Sequence, residues 1–367
     1  MHFPTKHAEI LARMDEIDPI QYGSTRNYLN GSVTYLSPYI SRGVISTKLV
    51  LDTILAKGHR LEEMESFVKE LAWRDYFQRV GQVRDLQSEI KFPQTEVEHY
   101  DIPSAVVNAQ TGIQALDSAI KELYNCGYMH NHLRMYTASV VTNIGRAHWL
   151  LPSKWMYYHL LDGDFASNRC SWQWVCGANS NKKYVANQEN INRFAGTAQH
   201  GTFLDRPYES LPPEKVPTEL KETSKLSLET QLPKAEPILV DATLPTFVYN
   251  YYNLDPSWHH GKVGNRILLL DPAFFQEHPV SSNVLNFALE LSNNIENLQL
   301  FVGSFTELKE KYGLNELYYK EHPLNQGYSG IEESRDWIST EITGYFPSFF
   351  AYWKSLSKEL SSKQVNS

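Results

Sequence analysis

Hydrophobic residues recur at helical spacing through the first half of the chain. Apolar positions every three or four residues predict amphipathic helices over residues 44–54, 67–80, 113–123 and 133–150. Ser37 before Pro38, and Thr111 before Gly112, are typical of helix starts. No segment of this half shows a strong alternation of apolar and polar residues, the pattern that would predict a strand. Residues 1–205 are therefore predicted to form a helical domain.

The pattern changes after residue 205. Five prolines mixed with Glu and Lys predict an extended linker over residues 206–236, with little core of its own. Beyond it, strand and helix patterns alternate, which predicts a small parallel sheet in a C-terminal α/β domain over residues 237–367. The predicted strands are ILVDAT (238–243), NRILLLDP (265–272), LQLFVG (298–303) and ELYYKE (316–321), and the predicted helices lie near 282–293, 304–313 and 334–360.

Composition narrows the class of protein. A length of 367 residues suggests two domains, and a net charge of −8 argues against general avidity for nucleic acid, although a local basic groove stays possible. The three cysteines include no Cys-x-x-Cys pair, which disfavours a disulfide framework and a zinc site. An acid-bearing N-terminus without an apolar core and the lack of a long apolar run predict a cytoplasmic protein without a signal peptide or a membrane span.

Two polar segments interrupt the early helices. Hydroxyl residues at 22–26 and 31–43 next to a helix start could hold a phosphate, but taken alone they favour an ordinary capped helix. In FVKELAWRDYF (67–77), Glu70, Trp73 and Phe77 share one helix face. This face suggests a cleft, whereas a surface helix with a Glu70–Arg74 pair is the alternative.

Two later segments carry the strongest chemistry. Asn131, Arg134 and Met135 sit together by helical spacing, and a buried Arg needs an acid partner. Asp162 and Asp164 flank a glycine before Asn168. They could ligate a metal, for which no third ligand is evident, or supply the acid that pairs with Arg134. No His, Cys or acid lies at a recognisable zinc spacing, so no metal site is predicted.

Taken in order, these four segments resemble the FAD-binding domain of DNA photolyases and cryptochromes. The likeness is most specific in TGIQALDSAIKELYNCGYMHNHLRMYTASVVT and LLDGDFASNRCSWQW, and it covers about residues 20–205. It implies an all-helical domain that binds FAD in a bent conformation. The residues at the positions that hold FAD in that family are Tyr22, Thr34, Tyr35, Leu36, Ser37, Arg74, Asn131, Arg134, Asp162, Asp164 and Asn168.

The resemblance also assigns roles in catalysis. Arg134 and Asp162 are expected to form a salt bridge across the flavin ring, and Asn168 is expected at its N5 atom. Glu70, Trp73, Met135 and Trp174 match the positions that meet a pyrimidine dimer flipped out of DNA. Trp172 and Trp149 match the inner two members of the tryptophan chain that photoreduces the flavin.

Several departures from the family pattern are visible. Val33 replaces a usual Thr at the phosphates, and His132 stands where an Arg often helps to hold DNA. The outermost tryptophan has no counterpart; Tyr100 is an aromatic substitute, and Trp155 is a second candidate donor. The N-terminal α/β antenna domain is missing from its usual place, and the C-terminal α/β segment resembles part of it in a permuted, shortened form.

Three functions remain open from the sequence. The first is a photolyase-like lyase that repairs pyrimidine dimers in damaged DNA by light-driven electron transfer, which the complete lesion-facing set favours. The second is a cryptochrome-like photoreceptor with a protein partner; the acidic charge, His132 and the absent outer tryptophan favour either this function or the third. The third is a flavoprotein with a light-independent redox or binding role.

Overall fold

The computed structural model of this chain describes residues 2–365. In chain order the α-helices are α1 (His7–Asp15), α2 (Pro19–Thr25), α3 (Ser37–Ser41), α4 (Thr47–Ala56), α5 (Glu65–Gly81), α6 (Ser104–Val107), α7 (Gln114–Cys126), α8 (Asn131–Ser139), α9 (Leu150–His159), α10 (Phe165–Val175), α11 (Gln188–Ala195), α12 (Pro272–Glu277), α13 (Ser282–Ser292), α14 (Phe305–Tyr312) and α15 (Phe349–Val365). The strands are β1 (Ile102–Pro103), β2 (Thr223–Ser224), β3 (Thr246–Tyr249), β4 (Asn265–Leu270), β5 (Leu298–Val302), β6 (Leu317–Lys320) and β7 (Ile331–Glu333).

Backbone contacts divide the chain into two compact units. Unit 1 consists of Met1–Ile20, Thr34–Val83 and Glu229–Ser367, and unit 2 consists of Gln21–Val33 and Arg84–Leu228. The predicted domain boundaries after residues 205 and 236 describe a different division of the chain and stay a prediction. The fold class is as predicted, because the first half is helical and the C-terminal part is α/β with a parallel sheet.

Unit 2 is built from helices around one hydrophobic core. Apolar faces of α7 to α11 supply most of that core, which includes the fully buried Trp149. Residues from the predicted linker also join it, since Leu220 is completely buried there. Leu211, Val216 and Leu226 also pack against this core, so the proline-rich segment is anchored at a few apolar positions while most of its other residues are exposed.

The long helix predicted over residues 133–150 ends early. A π-helical turn, Val140–Ile144, continues α8, and the chain then leaves the helix at Gly145 and Arg146, which has φ +56°. The next residues pair with a distant segment, since His99 and Ala147 form a parallel β-bridge. Apolar periodicity alone could not reveal this break, because the residues beyond it are also buried.

Unit 1 contains a five-stranded parallel sheet. Its strand order is β5-β4-β3-β6-β7, so the chain runs outward from β3 through β4 to β5 and then returns to the other side of β3. The crossover helices α13 and α14 and the strands β4, β5 and β6 confirm the prediction. Helix α14 begins at a capping box formed by Ser304 and Glu307.

Two predictions for unit 1 were wrong. The segment ILVDAT is not a strand; the first strand is the four-residue β3, which follows a turn at residues 242–244. Residues 334–348 are not helical, so the C-terminal helix begins only at Phe349. The edge strand β7 was missed because it is short and carries two glutamates.

The packing of α5 in unit 1 depends on the C-terminal part of the chain. Asp75 is buried, accepts a 2.7 Å hydrogen bond from the Thr47 hydroxyl and accepts a 2.9 Å bond from the backbone N–H of Ile338. Arg335 donates to Gln78 at 2.6 Å. Helices α5 and α15 also pack directly against each other. Within residues 2–365, no helix is long and apolar enough to cross a membrane.

Candidate functional site

A partly buried ion pair joins the start of α8 to the turn before α10 in unit 2. Arg134 donates through Nη2 to Asp162 Oδ2 at 2.9 Å and through Nε to the carbonyl of Met129 at 2.7 Å. The side chain of Asp162 is 4 % exposed and that of Arg134 is 19 % exposed. The acid partner that a buried Arg requires is therefore Asp162, as predicted.

The neighbouring polar residues are fixed by the start of α10. Asp164 is its N-cap, and its Oδ1 accepts a 2.7 Å bond from the N–H of Ser167. Asn168 lies one turn further and donates through Nδ2 to the carbonyl of Ser153 at 2.9 Å. Asn131 is the exposed first residue of α8.

These residues fit the polar edge of a flavin ring. That edge carries both carbonyl oxygens and N–H groups, so it needs donors and acceptors together. Arg134 and Asn131 supply donors, and the carboxylates of Asp162 and Asp164 supply acceptors. Among residues 2–365, no group of three or more His, Cys, Asp and Glu is placed to hold a metal ion.

The predicted electron-donor tryptophans lie inside unit 2. Trp149 and Trp172 are 0 % and 2 % exposed and belong to the same core, where α9 and α10 pack together. The guanidinium of Arg169 lies 5.7 Å from the centre of the Trp149 ring. Trp155, the second candidate outer donor, is buried at 1 % exposure and donates to the Tyr124 hydroxyl at 3.1 Å.

Three residues form a cluster beside Trp149 that the sequence does not reveal: Tyr100, His148 and Glu89. The ring of Tyr100, an aromatic substitute for the absent outer tryptophan in the family resemblance, stacks on His148. Glu89 accepts hydrogen bonds from both His148 and Trp149. Spacing could not reveal this cluster, because Tyr100 and Glu89 reach the His148–Trp149 segment only through contacts between residues distant in sequence.

The residues of unit 2 that the family resemblance assigns to a lesion differ in exposure. Trp174 is exposed and leans on Tyr184, with ring centres 5.5 Å apart. Met135 is partly buried against the core. His132 lies between the rings of Tyr136 and Phe194, and burial lowers its pKa. At neutral pH it is therefore uncharged and cannot replace the cationic Arg that many family members have at this position.

The first polar segment is divided between the units. Tyr22 lies in unit 2 on α2, with the guanidinium of Arg26 at 6.0 Å from its ring centre. Thr34 to Ser37 lie in unit 1 before α3, a helix of only five residues. Tyr35 has a positive φ of 54°, which turns the chain immediately before the buried Leu36.

The second polar segment lies on α5 in unit 1, where Glu70 and Arg74 are half-buried. Trp73 and Phe77 share a helix face as predicted, with ring centres 5.1 Å apart. One face of the Trp73 ring is covered by Phe349 of α15. Their ring centres are 3.7 Å apart and the planes differ by 8°. No sequence pattern indicates this stack, because Trp73 and Phe349 lie far apart along the chain.

Comparison with known proteins identifies a family for the part of the chain that carries the Arg134–Asp162 pair and the buried tryptophans. Residues 67–207 match the family described as the FAD binding domain of DNA photolyase. A deoxyribodipyrimidine photo-lyase of Alkalihalophilus pseudofirmus is 33 % identical over 145 residues, which are 38 % of this chain and 30 % of that protein. One of Synechococcus sp. is 27 % identical over 203 residues, or 49 % of this chain and 41 % of that protein.

Solved structures give a similar extent. A cryptochrome of Synechocystis sp. aligns with a TM-score of 0.45 at 21 % identity, over 53 % of this chain and 44 % of that one. A bacterial class III photolyase of Agrobacterium tumefaciens aligns with a TM-score of 0.43 at 22 % identity, over 52 % and 43 % of the two chains. The chain thus spans less than half the length of these relatives.

Proposed function

The chain belongs to the photolyase/cryptochrome family through its FAD-binding domain, and from that premise we propose that it repairs pyrimidine dimers in DNA under blue light. Its cofactor is FAD. Bound in reduced form, FAD would supply light-driven transfer of one electron to the dimer, and the electron would return to it once the two carbon–carbon bonds that close the cyclobutane ring had broken. The relatives named as deoxyribodipyrimidine photo-lyases support this substrate.

The observation that carries the proposal is the ion pair between Arg134 and Asp162. A guanidinium held by a carboxylate and a backbone carbonyl keeps a fixed orientation, so it can position the polar edge of a ring without rearranging. The pair also keeps the local net charge near zero while placing a cation beside the ring. This cation would stabilise negative charge that develops there.

The assigned lesion contacts divide the remaining work. In unit 1 we assign Trp73 to stacking on a flipped base and the Glu70 carboxyl group to hydrogen-bonding a pyrimidine edge. In unit 2 we assign the ring of Trp174 to stacking. Met135 adds a polarisable apolar contact. Because Phe349 already stacks on one face of Trp73, a base can use that face only after α15 moves away.

The test is restoration of an oligonucleotide that contains a cyclobutane dimer. Reduced, illuminated Phe349→Ala protein should repair at least as fast as wild-type, because the variant frees one face of Trp73. Trp73→Ala and Glu70→Ala should repair poorly while retaining FAD. Phe350→Ala serves as the matched control, since that neighbouring ring is 72 % exposed. If neither wild-type nor Phe349→Ala restores the oligonucleotide at any salt concentration, the chain is not a repair enzyme.

The same stack favours a second candidate, a cryptochrome-like photoreceptor. In this alternative α15 is released when light drives electron transfer, and the exposed surface binds a protein partner. Illumination should then increase proteolysis within residues 334–348, which lack helical structure before α15. Trp172→Phe should abolish the light effect. An identical cleavage pattern in light and dark would exclude this alternative.

A further inference from the structure

The buried tryptophans of unit 2 need a route to the solvent. Trp149, Trp155 and Trp172 are all at most 2 % exposed. An electron taken from Trp172 and replaced from Trp149 leaves an oxidised indole that an external reductant cannot touch. Lasting photoreduction therefore requires another oxidisable residue that contacts Trp149 and reaches the surface.

Tyr100 meets both conditions through His148. The rings of Tyr100 and His148 stack with centres 5.0 Å apart and planes 27° apart. The centre of the His148 ring lies 5.8 Å from that of Trp149, with the planes tilted by 34°. Tyr100 is 71 % exposed. A continuous series of rings thus leads from the core of unit 2 to water.

The backbone holds this series in place. Glu98 donates its N–H to the carbonyl of Arg146 at 2.9 Å, and His148 donates its N–H to the carbonyl of His99 at 2.8 Å. Gln94 adds two side-chain bonds, donating to the Ala147 carbonyl and accepting from the Trp149 N–H, each at 2.9 Å. The loop that carries Tyr100 is therefore fixed against the segment that carries His148 and Trp149.

Glu89 places a negative charge between the two inner rings. Its Oε1 accepts hydrogen bonds from His148 Nε2 at 3.0 Å and from Trp149 Nε1 at 3.4 Å. The buried amide of Gln173 clamps this segment by donating to the Ser88 carbonyl and accepting from the Ile90 N–H. Burial raises the pKa of Glu89, but the hydrogen bonds from His148 and its neighbours outweigh this and hold the pKa below its usual value. The carboxylate is therefore ionised at neutral pH, and its negative charge offsets that of the Arg169 guanidinium on the Trp149 ring.

We propose that Tyr100 is the terminal electron donor of this protein, acting on Trp149 through the stacked ring of His148. The proposal rests on the proposed function, which needs FAD in its reduced form, and it concerns how that form arises when light drives one electron from Trp172 to FAD. Trp149 reduces oxidised Trp172, and Tyr100 then reduces oxidised Trp149. Tyr100 releases its phenolic proton to water and becomes a neutral radical. A thiol returns one hydrogen atom to that radical, and two thiyl radicals couple to a disulfide, so electrons and protons balance.

Trp155 does not offer an equivalent route. Its Nε1 donates to the hydroxyl of Tyr124, and that hydroxyl donates to the carbonyl of Val107 at 2.7 Å. Tyr124 is half-buried and its hydroxyl proton is held by a backbone carbonyl, so its ring offers an external reductant less access than that of Tyr100, which is 71 % exposed.

The experiment is electron paramagnetic resonance of the FAD-loaded protein frozen under blue light without thiol. Wild-type should give a neutral tyrosyl radical, and its signal should narrow in protein made with ring-deuterated tyrosine. Tyr100→Phe should lose the signal and photoreduce more slowly in the presence of thiol. Tyr100→Trp should restore photoreduction with a tryptophanyl signal instead. Tyr208→Phe is the matched control, because Tyr208 is also exposed in unit 2 but lies outside this series of rings.

The outcomes separate the two proposals. A tyrosyl signal that persists in Tyr100→Phe, or equal photoreduction rates in Tyr100→Phe and Tyr208→Phe, overturns the role of Tyr100 while leaving light-driven electron transfer intact. Wild-type protein that holds FAD but is not photoreduced overturns the role of Tyr100, and repair of the dimer by chemically reduced protein shows whether the proposed function stands without that role. Retention of FAD is read from the visible absorption of each variant in the dark.

Discussion

The ion pair between Arg134 and Asp162 is expected to affect both the stability of the protein and its retention of FAD. Removing one member leaves the other charge poorly compensated, and for a buried pair this costs about 3–5 kcal/mol. Because Arg134 is partly exposed, Asp162→Asn should lower the free energy of unfolding by somewhat less, and it should also reduce the fraction of FAD retained on purification. Urea unfolding and visible absorption measure the two effects. Asp52→Asn breaks an exposed pair with Lys48 and should change neither by a measurable amount. A fully stable, fully loaded Asp162→Asn protein would contradict the assigned role.

Buried histidines should make unit 2 sensitive to acid. Burial lowers the pKa of His159 from its usual 6.5 to about 4. As the pH falls from 6.5 towards 4, His159 becomes protonated in the unfolded chain but not in the folded chain. The free energy of unfolding that is present above pH 6.5 is therefore progressively lost, by at most about 3 kcal/mol for this group. His159→Gln should therefore flatten the decline of the melting temperature over that range. His200→Gln changes an exposed histidine and should leave the slope unaltered; equal slopes in all three proteins would refute the argument.

At the residue scale, the sequence predicted pairs that a helix spacing or a motif brings together. The Arg134–Asp162 pair was foreseen because a buried Arg requires an acid and the family pattern supplied one. The contacts of Tyr100, His148 and Glu89 were not, since they arise where two loops pair. Loop pairing depends on tertiary contacts that leave no periodic trace in either segment.

At the scale of elements, the contact between α5 and α15 leads to a prediction about the stability of unit 1. Phe349 is 3 % exposed and stacks on Trp73, so Phe349→Ala should destabilise unit 1 by about 3–5 kcal/mol, the usual range for a buried Phe→Ala change. Phe350→Ala, one residue along the same helix but exposed, should stay within about 0.5 kcal/mol of wild-type. Denaturant unfolding compares them. Similar stabilities for the two variants would show that the stack is not formed in solution.

Elements with regular periodicity were predicted well, and their ends were not. Helix α7 follows its apolar spacing and ends at Gly127, whose positive φ of 71° suits a residue without a Cβ atom. By contrast, ILVDAT has the composition of a buried strand but forms none, while TFVY takes the central place in the sheet. Composition cannot choose between two neighbouring apolar runs, because the choice depends on which run the crossover lengths allow to pair.

At the scale of the whole molecule, the predicted domain boundaries and the two contact units lead to different expectations for the folding of an N-terminal fragment. If residues 1–205 form an independent domain, a fragment covering residues 1–228 should fold and bind FAD. The contacts of unit 1 predict otherwise, because α5 depends on Ile338, Arg335 and α15 for partners of its buried polar and aromatic residues. We expect this fragment to expose apolar surface, bind a hydrophobic dye and lose FAD. A cooperatively folded, yellow fragment would favour the predicted domain boundary.

The central claim is that this chain holds FAD and drives electrons to it with light. The most direct measurement is the visible absorption spectrum of purified protein supplied with FAD, recorded in the dark and after blue light with a thiol present. The account predicts a retained flavin band that bleaches on illumination and recovers in air. A protein that retains no flavin after gel filtration would contradict it.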